Sequence, residues 1–314
     1  MHMASRVLGI VSALGVLTLV SCTGTEAATP TAPEVLADAP TEVDAQAAPV
    51  VAAETVLPES PIQADFLFLA SELTQGGYVR GRAPSGTVSL TLDEQEIALG
   101  EDGVFFAAFD RDSPASVTLT ASSLEGPPVR EELSLTTRDW QIERVNVAKR
   151  NLRNPEAYWR QREPEYNAIV AARAKETGAQ GWKQDFIWPV QGRISGRFGR
   201  QRIYRGEPGS YHSGIDIAKP TGTPFVAPAD GVVILARTGF SLEGGLLMID
   251  HGNGLNSAFL HCHRIHVKEG DTVRQGQHIG DIGATGRATG PHLHWGLKWH
   301  EARIDPILLA GPMN

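Results

Sequence analysis

Cysteine is almost missing from this chain: two in 314 residues, Cys22 and Cys262. A disulfide-stapled exported domain carries four, six or eight, so no disulfide framework organises this fold. Cys262 follows His261 directly, and neighbours in a strand face opposite sides. The imidazole is then no base for that thiol, and Cys262 reads as a small buried residue. A basic excess is also lacking. Lys and Arg number 28 against 36 Asp and Glu, for a formal net charge of −8, which argues against a nucleic-acid partner. Long apolar runs are missing too, apart from residues 7–20, which are too short to span a bilayer comfortably. The glycine-rich loop 283–290 lacks the Gly-Lys-Ser/Thr of a nucleotide-binding loop. Around residues 270–277 the β-turn chemistry is that of lipoyl and biotinyl carrier barrels, but no lysine stands where such carriers are modified.

What is present begins with a segment that reads as a signal peptide, residues 1–21, with its apolar core after Arg6. It ends in Leu19-Val20-Ser21-Cys22, which resembles a bacterial lipobox. Lipidation of Cys22 is therefore expected, giving a membrane anchor without a spanning helix. The alternative is an ordinary signal peptide cleaved near Ala27 or Ala28. Residues 22–65 follow as a disordered tether rich in Ala, Pro, Thr and Val. Its eight acidic residues, with no Lys or Arg, equal in number the net charge of the whole chain. The remainder is nearly neutral, so the acidity says nothing against an anionic substrate. A flexible tether of this length spans on the order of 30–40 Å.

Beyond the tether the pattern turns to short alternating segments at 79–82, 87–92, 96–99, 104–109, 116–121 and 132–136. Turn clusters such as Pro84-Ser85-Gly86 separate them, which predicts a β-sandwich over 66–140, similar to small immunoglobulin-like modules. It holds no catalytic constellation, and a spacer or a binding module are both open. A helical connector is expected over 141–185, with Pro155 opening one helix and a second run at 165–175 after Pro164. A C-terminal β-rich domain covers 186–314, with strands at 186–190, 224–227, 232–236 and 246–250. The fold class is thus mainly β.

The chemistry concentrates in that last domain. In Pro291-His292-Leu293-His294-Trp295 two imidazoles stand at i and i+2, which in a strand share one face, with Leu293 and Trp295 on the other. A single histidine is more often a satisfied core residue; a pair at this spacing beside a glycine loop is not. Upstream, His212 and Asp216 stand four apart, and Gly214, Ile215, Ile217 and Pro220 argue for strand and loop there. Between them, residues 257–262 read as a strand carrying His261 on the face of Ser257 and Phe259. Zinc accepts imidazole and carboxylate, and a catalytic zinc keeps three protein ligands and an open position for water. Two histidines remain over for proton transfer. His251, His263, His266, His278 and His300 share no spacing and read as turn or surface residues.

These residues together resemble the M23 metallopeptidases, the LytM/lysostaphin-like peptidoglycan endopeptidases, over roughly residues 188–309. The likeness rests on His212-x-x-x-Asp216, His261, Gly270-Asp271 through Gly280, and Gly283-Ala284-Thr285-Gly286 running into Gly290-Pro291-His292-Leu293-His294. It departs at Phe259, where the family often has tyrosine, and at Cys262, where leucine is common; neither removes a ligand. The resemblance implies Zn2+ on His212, Asp216 and His294, with His261 and His292 as catalytic histidines. It implies peptidoglycan stem peptides as substrate. The lipobox and tether point to a periplasm-facing, outer-membrane lipoprotein of a Gram-negative-type envelope, where the family's usual target is a D-Ala–diaminopimelate crosslink in preference to a glycine bridge. Regulators of cell-wall synthesis or hydrolysis are further expected partners. Two alternatives follow from the same family. One is a zinc-free M23-like regulator that activates cell-wall amidases; the other is a self-inhibited enzyme, with Glu207 or a connector side chain on the metal.

Overall fold

The computed structural model describes residues 63–149 and 154–313. The signal segment, Cys22 and all but the end of the tether therefore lie outside the described residues. The described residues form one compact unit. Among the described residues no helix is long and apolar enough to cross a membrane.

The N-terminal part is a seven-stranded β-sandwich built from β1 (Leu67–Glu72), β2 (Tyr78–Arg82), β3 (Thr87–Leu92), β4 (Gln95–Ile97), β5 (Val104–Ala108), β6 (Ser116–Ser123) and β7 (Val129–Ser134). One sheet runs β1-β2-β5 and the other β4-β3-β6-β7. In β6, Val117, Leu119 and Ala121 alternate inward, facing a core that also holds Val79, Phe105 and Leu90. Strand β1 is absent from the expected set because Leu67-Phe68-Leu69-Ala70 is apolar without alternation.

Two differences mark the connector. It opens with a strand, Ile142–Val145, paired in parallel with Gln201–Tyr204 of the last domain. Its two expected helical runs form one helix, Pro155–Arg173, with Pro164 inside it. Asn154 caps the helix, accepting from the Ala157 amide at 2.9 Å. Pro164 removes one helical hydrogen bond, but it lies on the exposed side, where water can reach the freed carbonyl. Arg162 ties this helix down with paired 2.7 Å bonds to Glu243, on the turn just before His261 in space.

In the last domain the sheet order is Thr272–Val273, Gly231–Phe240, Gly244–Gly252, Leu255–Leu260, His292–Trp299, Ile215–Ala218 and Arg193–Gly196, with Ala302–Ile304 beside His292–Trp299. The expected entry strand at 186–190 is instead irregular, because Pro189 lacks the amide a ladder needs. It still buries Phe186 and Trp188. His292–Trp299 alternates as its sequence predicts, with Leu293, Trp295, Leu297 and Trp299 all at or below 2% exposure. Each such side chain contributes roughly 1.5–3 kcal/mol of burial, and their burial fixes His292 and His294 on the opposite face.

His251, read from sequence as a turn or surface residue, is fully buried. Its Nδ1–H donates to the Asp230 carbonyl at 2.7 Å, and Nε2 lies 2.7 Å from the Ser257 hydroxyl. Burial pushes its pKa down to about 4, so folding favours the neutral ring. The unfolded chain binds the extra proton below about pH 6.5, so this stability is present above that pH and is lost as pH falls towards 4. The loss amounts to about 3 kcal/mol at most. In chemical denaturation at pH 7.5 and pH 5, His251→Gln is expected to show a smaller pH difference than the unsubstituted protein. An equal difference in both would refute the assignment.

Candidate metal centre

The sheet register brings the first ligand pair together. Asp216 on Ile215–Ala218 stands directly opposite His294 on the antiparallel strand His292–Trp299, so their side chains meet on one face. His212 lies in the loop just before that strand. Its Nε2 is 3.1 Å from Asp216 Oδ1 and 3.1 Å from His294 Nδ1, while His294 Nδ1 is 2.9 Å from the same oxygen. These three side chains form a group able to hold a metal ion. Tetrahedral zinc with bonds of about 2.0–2.1 Å needs ligand atoms about 3.3 Å apart, close to what is seen.

The hydrogen bonding of His212 sharpens the test. Its Nδ1–H donates to the Arg197 carbonyl at 3.0 Å, a group that can only accept. A neutral His212 therefore aims an Nε2 lone pair at a carboxylate oxygen and at a second imidazole. A hydrogen on His294 Nδ1, a proton on His212 or a metal ion at the shared point reconciles that arrangement. The charges agree. Burial alone would raise the Asp216 pKa, but the hydrogen bonds from His212 and His294 hold it well below the ordinary carboxylate range. Burial would lower His212, yet the bond to Asp216 and its charge raise it. His294 sits beside the same carboxylate but is pushed down by burial, so the two rings do not hold a proton equally.

Two glycines make room for this cluster. A Cβ on Gly196 would lie 2.1 Å from Asp216 Oδ2, and one on Gly214 would lie 2.8 Å from His294 Nε2 and 2.4 Å from the Trp295 carbonyl. Gly196→Ala is expected to displace the carboxylate and weaken zinc binding about 10–100-fold, with the fold retained. Competition against a chromogenic chelator measures this, and unchanged affinity would show that Asp216 is not held there.

His261 is not on the strand, as its sequence position had indicated. Leu255–Leu260 ends one residue earlier, and His261 adopts a left-handed backbone with φ of 66°. Such a conformation costs roughly 1–3 kcal/mol in a non-glycine residue. It is held by the His261 amide bonding the Glu243 carbonyl at 2.8 Å and by Nδ1–H donating to the Thr285 carbonyl at 2.8 Å. The turn swings the ring towards the metal group: its centroid is 4.8 Å from that of His292 and 6.4 Å from that of His294. His292 Nδ1–H donates to the Gly290 carbonyl at 2.8 Å, and its Nε2 is 3.6 Å from Asp216 Oδ1. Both rings thus present Nε2 unprotonated when neutral. Burial and the neighbouring imidazoles lower His261 below the ordinary histidine value.

Sequence assigned Arg197 no role and Thr285 and Gly290 none beyond the glycine loop, because they act through backbone carbonyls. Thr285 also donates Oγ1–H to the Cys262 carbonyl at 3.0 Å and accepts from the Gly245 amide at 2.9 Å, pinning the glycine loop to the hairpin. Cys262 is buried, with its thiol pushed up to about 12, and is no nucleophile. Glu207 is exposed and pairs with Tyr204 in a short hairpin. Among the described residues no further imidazole, thiol or carboxylate joins the group of three.

The β-sandwich reaches this site. Arg111, only 5% exposed, donates to the Gly199 carbonyl and to Gln201 Oε1, both at 3.1 Å. Asp110 accepts from the Tyr211 hydroxyl at 3.2 Å. The Gly199 amide in turn bonds the His212 carbonyl at 2.9 Å. The module therefore braces the loop that carries a ligand.

Residues 210–306 match the model of a protein family, peptidase family M23. The peptidoglycan DD-endopeptidase ShyA of Vibrio cholerae is 43% identical over 125 residues, covering 38% of this chain and 28% of that protein. The DD-carboxypeptidase/endopeptidase Mpg of Neisseria meningitidis is 40% identical over 129 residues, covering 39% and 28%. The chain thus spans under a third of the length of these relatives. A Pseudomonas aeruginosa crystal structure described as a peptidase M23 superposes with a TM-score of 0.58 at 26% identity, covering 77% of this chain and 96% of that one.

Proposed function

We propose that this chain, whose residues 210–306 match peptidase family M23, is a zinc-dependent enzyme that hydrolyses peptide crosslinks of peptidoglycan. The observation that carries this reading is the convergence of His212, Asp216 and His294 on one point, with His261 and His292 beside it. Zinc is assigned to His212 Nε2, Asp216 Oδ1 and His294 Nδ1. Bound there, it would polarise the scissile carbonyl and bring the pKa of a water towards neutrality.

The chain's own groups supply the rest. His261 is the base, since burial keeps it neutral and its bond to the Thr285 carbonyl leaves Nε2 free to take a proton. His292, whose Nε2 lies 3.6 Å from Asp216 Oδ1 on the same side as His261, is assigned to the developing oxyanion. The protonated His261 then delivers its proton to the departing amine. The substrate assignment is supported by the relatives named as peptidoglycan DD-endopeptidases, and the bond proposed is D-Ala–diaminopimelate. A lipid anchor at Cys22 and the acidic tether would let an envelope-bound enzyme reach the wall. All five positions are filled, which disfavours the zinc-free regulator, and the exposure of Glu207 disfavours self-inhibition through that residue.

The test is digestion of purified crosslinked peptidoglycan by the zinc-loaded protein, with released muropeptides resolved by mass. Loss of crosslinked dimers, abolished by a chelator and by His292→Ala, supports the endopeptidase. Intact dimers with an added amidase stimulated would establish the regulator instead.

A further inference from the structure

A second cluster of metal-ligating side chains lies outside the M23 centre. His266, His278 and Asp281, unremarkable in sequence, each offer one ligand atom within 4.8 Å of the others. Asp281 holds the two rings on separate oxygens: His266 Nε2 lies 2.9 Å from Oδ2 and His278 Nε2 lies 2.9 Å from Oδ1. The ring centroids are 4.6 Å apart. None of these residues belongs to the group at His212, Asp216 and His294.

His278 and Asp281 lie on one strand, and His266 directly follows its neighbour. His278–Asp281 is the middle strand of a three-stranded sheet, between Pro224–Val226 and Arg264–Ile265. In a regular strand, residues three apart face opposite sides. Here the register against Pro224–Val226 shifts, with Phe225 opposite Gly280 and Val226 opposite His278, so Ile279 is an extra residue. Such a bulge re-aims side chains, and it turns His278 to the side of Asp281. His266 is fixed from the neighbouring strand by its amide bonding the Ile279 carbonyl at 3.0 Å. Two of the three ligands are thus on a strand and the third is tied to it by a backbone hydrogen bond, which holds them more closely than free loops would.

We propose that His266, His278 and Asp281 form a second metal site, taking a borderline divalent transition ion such as zinc. Two imidazoles and one carboxylate suit such ions, and hard cations prefer all-oxygen sets. The side chains of His266 and His278 are 38% and 46% exposed, so the remaining coordination positions face solvent. The site joins the two chain segments that carry catalytic groups. His266 lies five residues after His261, and Asp281 two residues before Gly283, which bridges His292. An ion here would clamp those segments together from the outer side.

The experiment is equilibrium dialysis of the metal-free full chain against micromolar zinc, with bound metal counted by atomic spectroscopy. Two equivalents are expected. His278→Gln and Asp281→Asn should each lose one, while Asp216→Ala should lose the other and keep the outer ion. Circular dichroism checks that the variants fold, and the two outer variants guard against either alone misfolding. Cobalt substitution gives a second readout, as d–d absorption that disappears in part with each outer variant. The proposal is overturned if the outer variants bind as much zinc as the unsubstituted protein. It is also overturned if Asp216→Ala binds none. Failure of the inner site alone would leave one equivalent that still vanishes in His278→Gln, so the two assignments fail separately.

Discussion

Asp216→Ala is expected to lose the zinc proposed for His212, Asp216 and His294 and, with it, crosslink cleavage by on the order of 10³-fold or more, since a Lewis-acid metal supplies several kcal/mol of transition-state stabilisation. Asp216 is the hub of the group: its Oδ1 lies within 3.1 Å of both ligand imidazoles. Hydrogen bonds from both keep it ionised. Without it, two imidazoles remain that would repel once protonated, and no anion offsets the metal charge. The variant should fold, because Asp216 faces partly outward while Ile215 and Ile217 fill the core. Metal analysis and muropeptide digestion check the outcome. An Asp216→Ala protein that keeps its inner zinc would contradict the assignment.

The second large effect is expected from His261→Ala, which should keep the inner zinc yet lower kcat/KM about 10²–10⁴-fold, the range for a positioned acid–base group. The separation of metal content from rate is the diagnostic, because His261 touches none of the three ligands at bonding distance. The pH profile gives a further check. Burial lowers the His261 pKa, and a base loses activity as pH falls through its pKa. The acidic limb of kcat/KM should therefore lie below pH 6.5, the ordinary histidine value, and should vanish from the residual rate of the variant. Zinc bound nearby would push the limb further in the same direction. A limb above pH 6.5 would remove His261 from the role of base.

How much of this was legible depends on what each signal rests on. The pair His292 and His294 was readable because strand periodicity is two and Leu293 and Trp295 mark the buried face. The mainly β architecture was readable from short alternating runs such as 116–121. The partnership of Asp216 with His294 was not visible in spacing, since it arises from strand register between residues 78 apart; it came only through the family resemblance. The position of His261 on a strand face was misread, because a single left-handed residue ends the strand at Leu260 and no side-chain pattern announces it. The acceptors that orient the imidazoles were invisible, as a carbonyl carries no side-chain signature. His266, His278 and Asp281 were missed for a related reason: their parity is wrong for one face until the bulge at Ile279 is known. Pro164 misled in the opposite direction, being tolerated within Pro155–Arg173 on its exposed side.

The measurement closest to the central claim is zinc titration into metal-free protein in the presence of an isolated crosslinked muropeptide dimer, following monomer release by mass. Cleavage should rise with the zinc equivalent that Asp216→Ala lacks and saturate when that site is full. The products should be two monomers whose masses together exceed that of the dimer by one water. A dimer left intact with zinc on His212, Asp216 and His294 would contradict the account.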